Sequence, residues 1–150
     1  MTKETQLHPT FREYQTGDYD AIMKLWEEIG LGAPNRGDTA EVIERTIVTG
    51  GRLLLMEDAE TGEVIGTSWL TVDGRRTYMH HFGISEAWQR KGLAKPLLNY
   101  SIQTAKSIGL QLKLEVHKDN QRAVSLYKEN GFRYLGDYNV YIIRDIQPGD

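Results

Sequence analysis

Apolar residues recur along the chain with two periods, and the switches between them predict its elements. Asp18 stands as an N-cap ahead of Ile22, Leu25, Trp26 and Ile29, which share one helical face, and Gly30 marks the stop. Asp38, with Glu41 three residues on, has the form of a capping box opening a second helix through Val42, Ile43, Thr46 and Ile47, which ends at Gly50-Gly51. Three apolar or alternating runs follow, RLLLME, EVIGTSWLTV and RRTYMHHFGI, with the turn signals Thr61-Gly62 and Asp73-Gly74 between them. They predict three antiparallel strands. A helix over 93–107 stops before Gly109, LKLEV reads as a strand, and a further helix from Gln121 to Glu129 closes at Asn130-Gly131. FRYLG and YNVYIIR predict a final hairpin around Gly136-Asp137, and FREYQ a short first strand. No repeat or linker interrupts this order. The expectation is one domain over 1–150 of the α/β (α+β) class, with a mixed sheet.

Composition narrows the picture. A chain of 150 residues has the length of one domain and one core. Its 39% hydrophobic and 26% charged residues are those of a soluble globular protein. The net charge of -3 argues against a protein whose main task is to coat nucleic acid. Without cysteine there is no thiol nucleophile, thiolate metal site or disulfide, which suits a reducing cytoplasm. No run of 18 apolar residues and no apolar leader core is present, so no membrane partner is expected.

The stretch AWQRKGLAKPLLNY, residues 87–100, carries the first chemistry. A helix N-terminus exposes backbone N–H groups and about half a positive charge, so it binds phosphate wherever the backbone can approach closely enough. Gly92 provides that approach, and Arg90 and Lys91 add countercharge for a diphosphate. Pro96 falls within the first turn, where its missing N–H has no intrahelical partner to lose. A solvated basic loop would look similar, and the pattern is neither a P-loop nor a dinucleotide fingerprint. A second stretch decides. In LEVHKDNQRAVSLYKENGF, Asn120 caps a helix on which Ala123 and Tyr127 share a face, with Gly131 four residues beyond.

Together QRKGLA and NxxAxxxYxxxGF resemble the GNAT superfamily of acyl-CoA-dependent N-acetyltransferases, and the resemblance covers residues 11–144. It implies a mixed, mostly antiparallel sheet of six to seven strands flanked by about four helices. It implies acetyl-CoA as co-substrate, its pyrophosphate on the amides of Gln89, Arg90, Lys91, Gly92, Leu93, Ala94 and Lys95. Phe82, Gly83 and Ile84 match the preceding strand segment, whose backbone holds the pantetheine and receives the thioester carbonyl. Asn120, Ala123 and Tyr127 match residues beside the cofactor arm, and Tyr127 also matches a tyrosine that serves as general acid. Pro96 is less usual at its position in the family.

An amine attacking a thioester must be neutral, and the departing thiolate must gain a proton. Two residues stand as candidate bases. Glu115 pairs with Tyr127 as in the RimI-type protein N-terminal acetyltransferases, and His80 occupies a position similar to a histidine of arylalkylamine acetyltransferases. Period two places His80 with Phe82 and Ile84, and His81 on the opposite face. Both candidates equally fit ordinary strand surface, and no third ligand is spaced for a metal. The resemblance also implies that the loop Gly30–Asp38 and the hairpin over 135–141 line the acceptor cleft; there Arg36 is a candidate for a substrate carboxylate and Trp26, Tyr138 or Tyr141 for an apolar one, while each more often is plain loop or core. The amine acceptor is a small molecule or a peptide, and a homodimer is left open. A non-catalytic acyl-CoA sensor or interaction module, or nucleotide or RNA binding through Arg75, Arg76, Arg90, Lys91 and Lys95, remain the competing readings.

Overall fold

The computed structural model describes residues 8–32, 34–136 and 138–148. Its elements are β1 (Pro9–Glu13), α1 (Tyr19–Ile29), a 3-10 turn (Pro34–Arg36), α2 (Ala40–Val48), β2 (Arg52–Asp58), β3 (Val64–Val72) and β4 (Arg76–Ile84). A second 3-10 turn (Glu86–Trp88), α3 (Ala94–Ile108), β5 (Gln111–Leu114) and α4 (Gln121–Glu129) complete the order. The sheet runs β1-β2-β3-β4-β5, antiparallel up to β4 and parallel between β4 and β5. The mixed, mostly antiparallel α/β class and the four helices are as expected. Among the described residues no helix is long and apolar enough to cross a membrane.

The chain divides into two compact units, Met1–Glu115 and Val116–Asp150. The first holds the whole sheet, with an apolar cluster on each face. On one face α1 and α2 bring Ile22, Met23, Trp26 and Ile43 onto Leu53, Leu55 and Trp69. On the other, Leu93 and Leu97 at the head of α3 pack with Met56, Ile65 and Ile84. Ser101 of α3 donates to Ser68 of β3 at 2.7 Å, which satisfies two buried hydroxyls and fixes the helix over the sheet. The second unit holds α4, on which Tyr127 packs against Phe132 at 5.5 Å between ring centroids.

Three sequence expectations are corrected. The sheet has five strands, because FRYLG and YNVYIIR form no strand among the described residues; Asp137, at the expected turn, lies outside them. Their β-type composition finds no partner ladder, and strand propensity is realised only against a neighbouring edge. Tyr138 and Ile143 are accordingly 82% and 73% exposed. Next, α2 is capped by Thr39, whose hydroxyl accepts from the Val42 N–H at 3.2 Å, and Asp38 is left for another use. Finally, Asp18 sits at the N-cap of α1 without capping it, since its carboxylate takes Arg12 at 2.8 and 2.9 Å and the Gln15 N–H at 2.7 Å.

The return from α2 into β2 runs so close to the sheet that a Cβ on Gly51 would lie 2.5 Å from the Leu70 carbonyl and 2.7 Å from that of Thr46. Both neighbours are backbone and cannot swing away. Gly51→Ala is therefore expected to destabilise the chain by about 1–3 kcal/mol, read as a lower urea midpoint; an unchanged midpoint would contradict this packing.

Candidate active site

The centre of the site is the second half of β4, and a β-bulge sets its geometry. Trp69 pairs with His80 and Thr67 with Gly83, so His81 and Phe82 together oppose Ser68 alone. His81 takes up the extra residue with a left-handed φ of 46°. The backbone is pinned there by a relay, in which the Trp26 indole donates to the Thr67 hydroxyl at 2.9 Å and that hydroxyl donates to the His81 carbonyl at 2.7 Å.

The bulge breaks the alternation assumed from the sequence. His80 and His81 lie on the same face, the one covered by α1 and α2, where the His81 ring meets Trp26 at 4.6 Å and Trp69 at 5.5 Å. Phe82 and Ile84 turn to the α3 face and pack on its apolar cluster. The expected grouping of His80 with Phe82 and Ile84 is thus wrong, because one inserted residue reverses parity. Between them, Gly83 makes room for α1: a Cβ there would come within 2.6 Å of Ile29 and 2.8 Å of Leu31.

Trp26 takes the core alternative. It is fully buried, stacked on Trp69 at 5.6 Å. Arg36 remains exposed on its 3-10 turn, and Tyr138 and Tyr141 are exposed in the second unit.

Pairing between β4 and β5 ends at Met79 with Leu114. Among the described residues the β5 ladder does not run on along His80 to Ile84. Glu115, one residue past the end of β5 and exposed, alternates onto the face of Lys113, whose ammonium lies 5.6 Å over the Tyr78 ring. His80 accepts or donates to the Thr71 hydroxyl at 2.9 Å. Although its outer edge is exposed, the Trp69 and Tyr78 rings flank it, and this desolvation, with the neighbouring His81, lowers its pKa below 6.5.

Beyond Ile84 the chain turns into α3. The Gln89 side-chain amide donates to the Ile84 carbonyl at 2.8 Å, tying the loop back to the strand end. Arg90 and Gly92 both have positive φ, 62° and 75°. Such alternating backbone turns N–H groups toward a common concavity, a nest for anions. The N-cap of α3 is Leu93, which offers no side-chain acceptor, and a Cβ on Gly92 would meet nothing within 4 Å. Arg90, Lys91 and Lys95 surround an approachable helix terminus, with Lys91 5.5 Å over the Trp88 ring. These features fit an anionic group.

In the second unit, the Asn120 side chain accepts from the Ala123 N–H at 3.3 Å and so caps α4 as expected. Tyr127, two turns along, is 8% exposed, and burial pushes its phenol pKa up to about 12. The candidate residues fall into two groups: His80, Phe82, Gly83, Ile84, the 89–95 loop and Glu115 in the first unit, and Asn120, Ala123 and Tyr127 in the second.

The family model of the GNAT acetyltransferases, described as "Acetyltransferase (GNAT) family", matches residues 18–132. The chain belongs to this family. Solved structures agree on the fold. The ribosomal-protein-S18-alanine N-acetyltransferase of Escherichia coli matches with a TM-score of 0.70 at 19% identity, over 84% of this chain and 78% of that one. A GNAT family acetyltransferase from Elizabethkingia anophelis, solved with acetyl-CoA bound, matches at 0.62 and 24% identity, over 83% and 76%. AAC(6')-Iy, solved with the bisubstrate analog CoA-S-monomethyl-acetylneamine, matches at 0.73 and 14% identity, over 91% and 98%.

Within this GNAT chain, the pair missed by sequence reasoning is His81 with Asp38, joined at 3.0 Å. Two signals were present: a glycine inside a strand commonly marks a bulge, and Thr39 competes with Asp38 for the cap.

The Tyr127 phenol also bears on stability. The unfolded chain loses this proton near 10 and the folded chain near 12, so between these values the folded state binds more protons and stability falls as pH rises. Tyr127→Phe is expected to flatten that alkaline decline in urea melts; an identical slope in both proteins would contradict the buried phenol.

Proposed function

We propose that this GNAT chain is an N-acetyltransferase that moves an acetyl group from acetyl-CoA to a primary amine by direct attack, residues 1–150 acting as one domain. The observation that carries the reading is the entrance to α3: a nest of backbone N–H groups with Arg90 and Lys91 beside it, coming directly after the end of β4. The amides of Gly92, Ala94 and Lys95 would hold the diphosphate. The backbone of Phe82–Ile84 would hold the pantetheine arm, with a β4 N–H toward the carbonyl oxygen that becomes an oxyanion. Asn120 and Ala123 would flank the arm.

As the amine nitrogen bonds to the acetyl carbon, the carbon–sulfur bond breaks. The amine loses one proton and the sulfur gains one. Glu115 or His80 would receive the first, directly or through water; a lysine-like amine at about 10.4 needs this help more than an α-amino group at about 8. A lowered pKa leaves His80 neutral at physiological pH and able to accept. Tyr127 would donate the second. With the phenol at about 12, transfer to a thiolate of roughly 8.5 is uphill on the order of 5 kcal/mol by itself. Tyr127 thus hydrogen-bonds the departing sulfur and passes its proton only as the carbon–sulfur bond breaks, regaining one from solvent while the base releases the amine's proton there.

The similar structures are named for different acceptors, an S18 alanine and, in the analog, neamine. The acceptor is sought among both kinds: an alanine-leading peptide, free lysine, spermidine, phenethylamine and neamine, each assayed by release of free coenzyme A. Turnover of at least one is expected, with Tyr127→Phe lowering kcat by roughly 10²-fold. Tight binding with no turnover on any amine would favour a non-catalytic acyl-CoA sensor, and full activity in Tyr127→Phe would remove the assigned acid.

A further inference from the structure

The bulge in β4 presents a second histidine that the family resemblance does not use. His81 Nε2 lies 3.0 Å from Asp38 Oδ1, and the Asp38 side chain is only 8% exposed. A carboxylate only accepts, so the proton of the neutral ring sits on Nε2 and the lone pair on Nδ1. The ring cannot turn freely. Trp26 closes on it edge-on at 4.6 Å, Trp69 at 5.5 Å, and a Cβ on Gly32 would already reach Nε2 at 3.2 Å. Even so, the His81 side chain keeps 21% of its surface in solvent.

We propose that His81, held in one orientation by the carboxylate of Asp38, is the group that takes the proton from the acceptor amine, with Asp38 as its positioning residue. The inference rests on the N-acetyltransferase reading and replaces the choice between Glu115 and His80. Three observations favour it. His81 is joined directly to Phe82, where the strand segment assigned to the acyl arm begins. It alone among the three histidine and glutamate candidates has a buried acid behind its ring: His80 faces the Thr71 hydroxyl, and Glu115 is exposed. Its left-handed φ of 46° costs on the order of 1–3 kcal/mol in a non-glycine residue, a strain that clusters at working sites. An oriented imidazole with an acid behind it is the arrangement by which a weak base is aimed and its charged form stabilised. The proton moves from the amine nitrogen to Nδ1 and leaves to solvent after the carbon–sulfur bond has broken.

The titratable groups around the His80–His81 pair are Asp38 from the segment before α2, the two rings themselves, Tyr78 of β4 stacked on His80 at 6.2 Å, and Glu115 after β5. The faces of α1 and β3 that touch the ring bring Trp26 and Trp69, which do not ionise.

The test takes the full chain with acetyl-CoA and whichever of the five amines it turns over fastest. His81→Gln is expected to lower kcat/KM by roughly 10²–10⁴-fold and to remove the acid limb of the rate–pH profile, with acetyl-CoA affinity by calorimetry unchanged. Asp38→Asn should keep a reduced rate and shift that limb. Because φ at residue 81 suits glycine, His81→Gly should fold, and added imidazole should restore part of its rate. Turnover by His81→Gln with its acid limb intact overturns this inference alone. Absence of turnover on every amine by the unmutated chain overturns the N-acetyltransferase reading and this inference with it. Should His81→Gln and His81→Gly both unfold, nitrogen NMR of the unmutated chain decides: a neutral ring with its proton on Nε2 supports the assignment, and a proton on Nδ1 overturns it.

Discussion

The site depends on a hydrogen-bond relay between residues far apart in sequence. The indole of Trp26 holds the hydroxyl of Thr67, which holds the carbonyl of His81, and this keeps one extra residue in the middle of β4. The left-handed backbone at His81 opposes folding by a small amount. Two hydrogen bonds of about 1 kcal/mol each and the burial of the stacked Trp26 and Trp69 rings outweigh it. The bulge is therefore a fixed feature of the fold, and it determines which side chains share a face.

The rest of β4 and the entrance to α3 depend on that offset. With parity reversed, Phe82 and Ile84 enter the α3 cluster, and Gly83 lets Ile29 and Leu31 close over the strand. Ile84 then ends the strand with its carbonyl bound by Gln89, and the loop to α3 takes its nest-like form. Buried Leu93 and Leu97 anchor the first turn of α3, while the backbone N–H groups at its head stay without a side-chain cap. An apolar anchor and a polar mouth on one helix turn are what an anionic cofactor arm would require.

The sequence made the scaffold legible because periodicity carries it. Strands β2 to β4, helix α3 with its stop at Gly109, and α4 with its Asn120 cap all stand where the spacing put them. Local competition was harder to read. Asp38 and Thr39 are both good caps, and only the presence of a ring at His81 explains why Thr39 took the role. A bulge is a nonlocal event, set by Trp26 and Thr67, so the strict alternation used for His80, His81 and Phe82 failed there. Exposed β-type residues such as Tyr134, Val140 and Ile142 have the composition of strands without the ladder that makes one.

The proposed chemistry requires acetyl-CoA to lie with its diphosphate on the amides at the mouth of α3 and its acyl end along β4. Amide hydrogen exchange of the whole chain, with and without acetyl-CoA, reads this placement residue by residue. Slowed exchange is expected at Phe82–Ile84 and in the loop from Gln89 to Lys95. Unchanged exchange in both segments, or protection centred elsewhere on the chain, would contradict it.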